Sequence, residues 1–224
     1  MRTFVIGDIH GGNKALEQCL ERSAFDMQRD QLISLGDICD GWPETDKCFE
    51  ALTKIKRLTV VMGNHDWWLQ QWVVHGSADI SWLGNGGQNT VNCYPNGMPE
   101  AHVQILHNMQ PYHVQDNRLF VHAGINPSVE LEDQDEHTLM WDRQFVHAAF
   151  NDDSGQLTRF DEVYIGHTPI HRFGYSKPIK KAEVWLMDTG AAWGEKLTMM
   201  NVDTKEIFQS DRTVEMYPEG SGRA

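Results

Sequence analysis

Short apolar runs recur along the chain, and one after another they end in a glycine beside Asp, Asn or His. Phe4-Val5-Ile6 leads into Gly7-Asp8-Ile9-His10-Gly11-Gly12, and Leu32-Ile33-Ser34-Leu35 into Gly36-Asp37-Ile38-Cys39-Asp40. A third run over residues 58–62 leads into Gly63-Asn64-His65-Asp66. Runs of this length bounded by glycine read as buried strands. Between them the apolar spacing turns helical: Leu16, Cys19 and Leu20 share a face over 13–24, and Phe49, Leu52 and Ile55 do so from Pro43 to about 56. A strand–helix–strand–helix–strand order with polar strand tips predicts an α/β protein whose ligands gather at the carboxyl edge of a sheet.

The grammar continues downstream. Trp67, Trp68, Leu69, Trp72 and Val73 mark a tryptophan-rich helix. Trp68 and Trp72 are four apart, as core residues are, and an aromatic platform for a substrate base is the weaker alternative. Residues 76–97 are rich in Gly and Asn and read as an excursion over the edge of the site. Helical spacing returns over 99–109, and a hairpin through Asp116-Asn117 ends in His122-Ala123-Gly124. The acidic stretch 130–136 reads as a solvated face. Strands over 163–166 and 183–187 end in His167-Thr168-Pro169 and Asp188-Thr189-Gly190, and those over 197–202 and 207–209 close the set. With no repeat and no linker, 1–213 forms one domain, carrying the excursion at 76–98 and a tail at 214–224 with little to bury.

The 224 residues are enough for a substantial core, and the apolar and charged fractions of 40% and 23% are those of an ordinary globular protein. Nineteen Lys+Arg against 32 Asp+Glu give a net charge of −13, which argues against gripping nucleic acid over a broad basic face. The first apolar strand is too short for a signal peptide or a membrane span. Cys19, Cys39, Cys48 and Cys93 show no Cys-x-x-Cys pairing, so reduced thiols and a cytoplasmic location are expected.

Chemistry concentrates at the strand tips. Two carboxylates three apart at the end of a buried strand repel each other and lose hydration unless a cation compensates. Asp37 therefore reads as a metal ligand and Asp40 as its near partner. Asp8 and His10 can serve one ion from their glycine loop, or Asp8 can merely cap a turn. Five tips sharing this pattern are hard to assign to turns.

Taken together, Gly7-Asp8-Ile9-His10-Gly11, Gly36-Asp37-Ile38-Cys39-Asp40, Gly63-Asn64-His65-Asp66, His122-Ala123-Gly124 and Gly166-His167-Thr168 resemble the metallophosphoesterases of the phosphoprotein phosphatase type. That family includes bacterial and phage Ser/Thr protein phosphatases and symmetrical diadenosine tetraphosphatases. The likeness extends to Trp141-Asp142-Arg143 and Asp188-Thr189-Gly190, so it spans nearly the whole chain. It implies a calcineurin-like, four-layer αββα sandwich of two mixed sheets flanked by helices. It also implies two divalent ions, Mn²⁺ first, with Fe, Zn or Ni as alternatives. By motif, Asp8, His10 and Asp37 would hold one ion and Asp37, Asn64, His122 and His167 the other. His65 matches the family's proton donor, Asp40 the carboxylate that orients it, and Arg143 with Asn64 the phosphate contacts. The implied reaction is hydrolysis of a phosphate ester by a metal-activated water, with a phosphoprotein, nucleotide or small phosphoester as substrate. A dinucleoside tetraphosphatase or phosphodiesterase is the alternative, and a non-catalytic scaffold a remoter one.

This chain departs from the family pattern at Gly41, which stands where an arginine commonly follows the second tip. Weaker monoester hydrolysis is expected unless Arg172 or Lys14 supplies the missing charge. The space left by Gly41 is expected to admit a second ester substituent. The seven remaining histidines have no such context, His171 alone lying near a tip.

Overall fold

The computed structural model describes residues 1–222. The first half lays down β1 (Thr3–Ile6), α1 (Asn13–Arg22), β2 (Gln31–Ser34), α2 (Thr45–Thr53), β3 (Arg57–Val60) and α3 (Asn64–His75). Two short helices, α4 (Ile80–Trp82) and α5 (Gln88–Cys93), lead to α6 (Glu100–His107). The hairpin of β4 (Tyr112–Gln115) and β5 (Arg118–Val121) opens the second half, followed by α7 (Glu136–Trp141), α8 (Gln144–Asn151) and β6 (Glu162–Ile165). The chain then adds β7 (Ile179–Lys181), β8 (Val184–Leu186), β9 (Lys196–Asn201), β10 (Ile207–Arg212) and α9 (Thr213–Met216).

Two five-stranded sheets result, in the orders β10-β9-β1-β2-β3 and β4-β5-β6-β8-β7. β1, β2 and β3 are parallel, as are β5, β6 and β8, while antiparallel strands complete each sheet. Side chains alternate across a strand, and in the central strands β1, β2, β5, β6 and β9 both faces are buried. Phe4 and Ile6 pack with Leu16 of α1 and Phe49 of α2, whereas Val5 meets Ile33, Phe120 and Tyr164 between the sheets. On the far side, Leu119, Val121 and Val163 pack against Phe145 and Val146 of α8. The layers are therefore helix, sheet, sheet, helix, the calcineurin-like sandwich. Double-sided burial explains why the strands read as unbroken apolar runs. All four cysteines are free thiols, and among the described residues no helix is long and apolar enough to cross a membrane.

The hairpin turns through Asp116 and Asn117 at φ of 52° and 56°, the left-handed pair that a two-residue turn between twisted strands requires. Elsewhere the chain differs from the sequence expectations. α2 begins at Thr45 rather than Pro43 and stops at Thr53, although Ile55 beyond it is buried. Residues 76–98 are largely helical, because Asp79 caps α4 through the Ser81 and Trp82 amides and Trp82 is wholly buried. Trp68 and Trp72 are both half-buried and both pack against the core, Trp72 beside Trp82 and Trp68 edge-on to Trp141 at 4.8 Å.

The closing segment also departs from expectation, since it buries more than a tail does (223–224 lie outside the described residues). Tyr217 is 6% exposed and stacks on Trp42, with centroids 4.9 Å apart. Its hydroxyl accepts the Lys14 amide at 3.0 Å and donates to Glu44 at 2.6 Å. The sequence hides this because one aromatic in a polar stretch has no periodicity to betray it. Tyr217→Ala should cost about 3 kcal/mol in urea denaturation and Tyr217→Phe about 1 kcal/mol, separating the ring from its hydrogen bonds.

Candidate metal centre

Every strand tip singled out by the sequence converges on one edge of the sandwich. β1 delivers Asp8 and His10, β2 Asp37 and Asp40, and β3 with the first turn of α3 Asn64 and His65. From the second sheet, β5 delivers His122 and β6 His167. All eight side chains are buried. Four of them, His10, Asp37, Asp40 and His167, hold positive φ between 50° and 71°. Non-glycine residues adopt that conformation at a cost, and it clusters where the surrounding structure enforces a functional geometry. Glycine is required alongside: a Cβ on Gly63 would overlap the Asp37 carboxylate, and one on Gly166 the Asp8 carboxylate.

Two backbone carbonyls decide what the site can hold. His122 Nδ1 lies 2.7 Å from the Leu35 carbonyl, and His10 Nδ1 lies 3.1 Å from that of Cys39. A carbonyl only accepts, so each Nδ1 carries a proton, and Nε2 is the ring atom aimed into the site, with a lone pair to offer whenever the ring is neutral. The His122 lone pair faces Asp37 Oδ2 at 3.5 Å and Asn64 Oδ1 at 3.1 Å. That of His10 faces Asp37 Oδ2 at 3.4 Å and Asp8 Oδ2 at 4.0 Å. Buried lone pairs pointed at each other need positive charge between them, and Asp37 lies on both sides of that need. Donor atoms of His10, Asp37 and His65 lie within 4.8 Å of one another, as do those of Asp37, His122 and His167. The mixture of carboxylate, amide oxygen and imidazole suits transition-metal dications better than calcium. The residues present thus fit a pair of divalent cations sharing Asp37.

Without cations, protons take up the strain. Burial and then the neighbouring Asp188 push the Asp8 carboxyl well above its usual range. Burial works against the Asp37 carboxylate too, but His122 and His65 outweigh it and hold it well below. His122 is disfavoured as a cation by burial, yet Asp37 raises it to about 10. His167 goes the other way, to about 3, through burial and the nearby His122. Its Nδ1 lies 3.0 Å from Asn64 Oδ1 while its Nε2 accepts from Arg143 Nε at 3.3 Å.

Beside the donors, His65 Nδ1 and Asp40 Oδ2 are 2.6 Å apart. Arg143 lies on the wall of a cleft of about 510 Å³ that also exposes His10, Asp37, Asn64, His65 and His167. Sequence reasoning missed several neighbours. Asp188 lines the cleft, and it was marked only by another Asp-x-Gly strand tip. Trp82 and Thr90 both reach Asp40, with no signal beyond their place in the excursion. Trp68, Trp141 and Trp193 line the cleft, as does Asn85 from the excursion.

The expectation at Gly41 is corrected. Gly41 is buried beneath 76–98, its amide reaching Gly86 at 3.4 Å and its carbonyl accepting from Asn89 at 2.5 Å. It lies outside the cleft, so no room for a second ester group opens there. Of the two proposed substitute cations, Arg172 lines the cleft. Lys14 does not; its ammonium bonds the Met216 carbonyl and covers the Tyr217 ring.

A donor set of this kind at the edge of a two-sheet αββα sandwich defines a metal-dependent hydrolase. Residues 1–193 match the model of the calcineurin-like phosphoesterases, and the chain belongs to that family. The family is dependent on divalent metal ions. Serine/threonine-protein phosphatase 1 of Salmonella typhimurium is 29% identical over 210 residues, covering 89% of this chain and 91% of that protein. A symmetrical bis(5'-nucleosyl)-tetraphosphatase of Dechloromonas aromatica is 33% identical over 273 residues, covering 94% and 96%. Among solved structures, a metallophosphoesterase from Sphaerobacter thermophilus superposes with a TM-score of 0.61 at 18% identity, covering 95% and 88%. The protein is a metal-dependent phosphoesterase.

Because Asp37 raises His122 to about 10, a cation taken up at its Nε2 is expected to displace a proton across the neutral range. Manganese titrated calorimetrically in buffers of different ionisation enthalpy should therefore release protons, and its apparent affinity should rise with pH from 6 to 9.

Proposed function

We propose that the protein is a two-metal phosphomonoesterase of the Ser/Thr protein phosphatase kind, using manganese in a reducing cytoplasm. The observation that carries this reading is Asp37, facing the lone pair of His10 on one side and that of His122 on the other. Asp8, His10 and Asp37 would hold the first ion, and Asp37, Asn64, His122 and His167 the second. Bound there, two divalent cations supply Lewis acidity, making water a nucleophile at neutral pH and screening the phosphoryl oxygens. The rest falls to the protein's own groups. Arg143, which leans on His167, is placed to grip two phosphate oxygens with its planar fork, and Asn64 adds an amide contact. His65 has Nδ1 committed to Asp40, which leaves Nε2 as the atom that hands a proton to the departing oxygen. Asp40 steadies the imidazolium during that transfer.

His65 also lies close enough to His10 and Asp37 to compete with Asp8 for the ligand role. Asp8 is preferred because burial and Asp188 already crowd its carboxylate, the condition a cation relieves. The two assignments part experimentally. His65→Asn should keep two metals per chain by plasma mass spectrometry while kcat falls about 10²–10⁴-fold. Asp37→Asn should lose both turnover and metal, and Asp8→Asn at least one metal, each remaining folded by circular dichroism. Metal loss in His65→Asn with full retention in Asp8→Asn would reverse the assignment.

One observation favours a second substrate reading. Trp68 and Trp141, in edge-on contact, line the cleft, as does Trp193, 43% exposed with Arg172 over its ring at 4.8 Å. Flat walls with guanidinium groups suit a phosphate ester bearing a base or aryl ring, such as the dinucleoside polyphosphates named for one group of relatives. Trp141→Ala should then raise KM for diadenosine tetraphosphate about tenfold while leaving KM for a small alkyl phosphate within twofold. Equal effects on both would leave the phosphomonoester reading alone.

A further inference from the structure

Asp40 is fully buried with φ at +71°, and its carboxylate is held from three directions. The indole Nε1 of Trp82 donates to Oδ2 at 2.7 Å, and His65 Nδ1 meets the same oxygen at 2.6 Å. The Thr90 hydroxyl donates to Oδ1 at 2.7 Å and accepts the Asp40 amide at 2.9 Å. Thr90 has a single hydroxyl proton, so the contact at 3.1 Å to Thr45 must run from Thr45 to Thr90. The directions of the Trp82, Thr90 and Thr45 bonds are therefore fixed, and the first two donate one to each oxygen of the Asp40 carboxylate. Trp82 can only donate through its ring nitrogen, and its ring is completely buried. It is itself pinned: α4 is capped by Asp79, and a Cβ on Gly87 would overlap the indole. A merely space-filling Trp82 would not need its one polar atom on the carboxylate that faces His65.

We infer that Trp82 and Thr90 are positioning residues for proton delivery: helical segment 76–98 holds the Asp40 carboxylate so that His65 is aimed at the leaving oxygen. The inference rests on the proposed role of His65. In the step concerned the oxygen of water bonds to phosphorus and gives up a proton to solvent, the P–O bond to the leaving group breaks, and the proton on His65 Nε2 passes to the departing oxygen. Asp40 stabilises the charge on His65 before transfer, and Trp82 and Thr90 keep Asp40 from turning away. Neither residue lines the cleft.

Leaving-group dependence tests this directly, because a poor leaving group needs the proton and a good one does not. Trp82→Phe keeps the ring and removes the N–H; Thr90→Val keeps the shape and removes the hydroxyl. With manganese-loaded enzyme, each should lower kcat on phenyl phosphate about 10-fold or more. On 2,4-dinitrophenyl phosphate the loss should stay under threefold, with KM and metal content unchanged. In an Asp40→Asn background, Trp82→Phe should add no further loss, since the group it positions is gone. Equal losses on both substrates, or none, would overturn the inference and leave Trp82 a packing residue. Should Trp82→Phe fail to fold, Thr90→Val carries the same comparison through the other carboxylate oxygen. His65→Asn separates the two levels. If it lacks leaving-group dependence, the proton-donor reading falls and this inference with it; if it shows the dependence and the variants do not, only this inference falls.

Discussion

Two carbonyl oxygens, those of Leu35 and Cys39, set the terms for everything at the active edge. By accepting the Nδ1–H of His122 and of His10 they turn both Nε2 atoms towards Asp37. Electron pairs so arranged, out of water, are tolerable only with positive charge among them. The fold is organised to supply that confrontation. Parallel strands from two sheets end at one edge, glycines let the backbone come close, and four side chains accept positive φ to face inward. The same pressure shows in the ionisable groups, with burial and Asp188 pushing Asp8 up and Asp37 raising His122. That arrangement is what makes the site a receptacle for dications.

How much of this was legible in the sequence follows from which features are local. The strands stand out because both faces are buried, so their apolar runs are unbroken. The site residues stand out because each follows a strand directly and is flanked by a glycine that a close approach demands. The hairpin through Asp116-Asn117 is readable for a related reason: the turn dictates its residues. What escaped was non-local. Nothing near Trp82 or Thr90 announces that they meet Asp40, about forty to fifty positions earlier. Nor does anything near Tyr217 announce its place on Trp42. Asp188 lay in between, sharing the strand-tip pattern but lacking the paired ligand that would have drawn attention to it.

Gly41 shows how a sound local argument fails for want of tertiary context. A missing arginine suggests open volume, but the 76–98 segment covers the position, with Gly86 and Asn89 bonding the Gly41 backbone. Asn89 also bonds the Ser221 carbonyl, so excursion, second loop and closing segment form one packed unit around Trp42. Specificity is therefore to be sought on the open side of the cleft, where Arg143, Arg172 and three tryptophans lie, and not at the second strand tip.

The central claim is that Asp37 is shared between two cations. Crystals grown with Mn²⁺ and measured on both sides of the manganese absorption edge test it most directly. The account predicts two anomalous peaks flanking the Asp37 carboxylate, one towards His10 and the other towards His122. A single peak, or two that leave Asp37 out of contact, would contradict it.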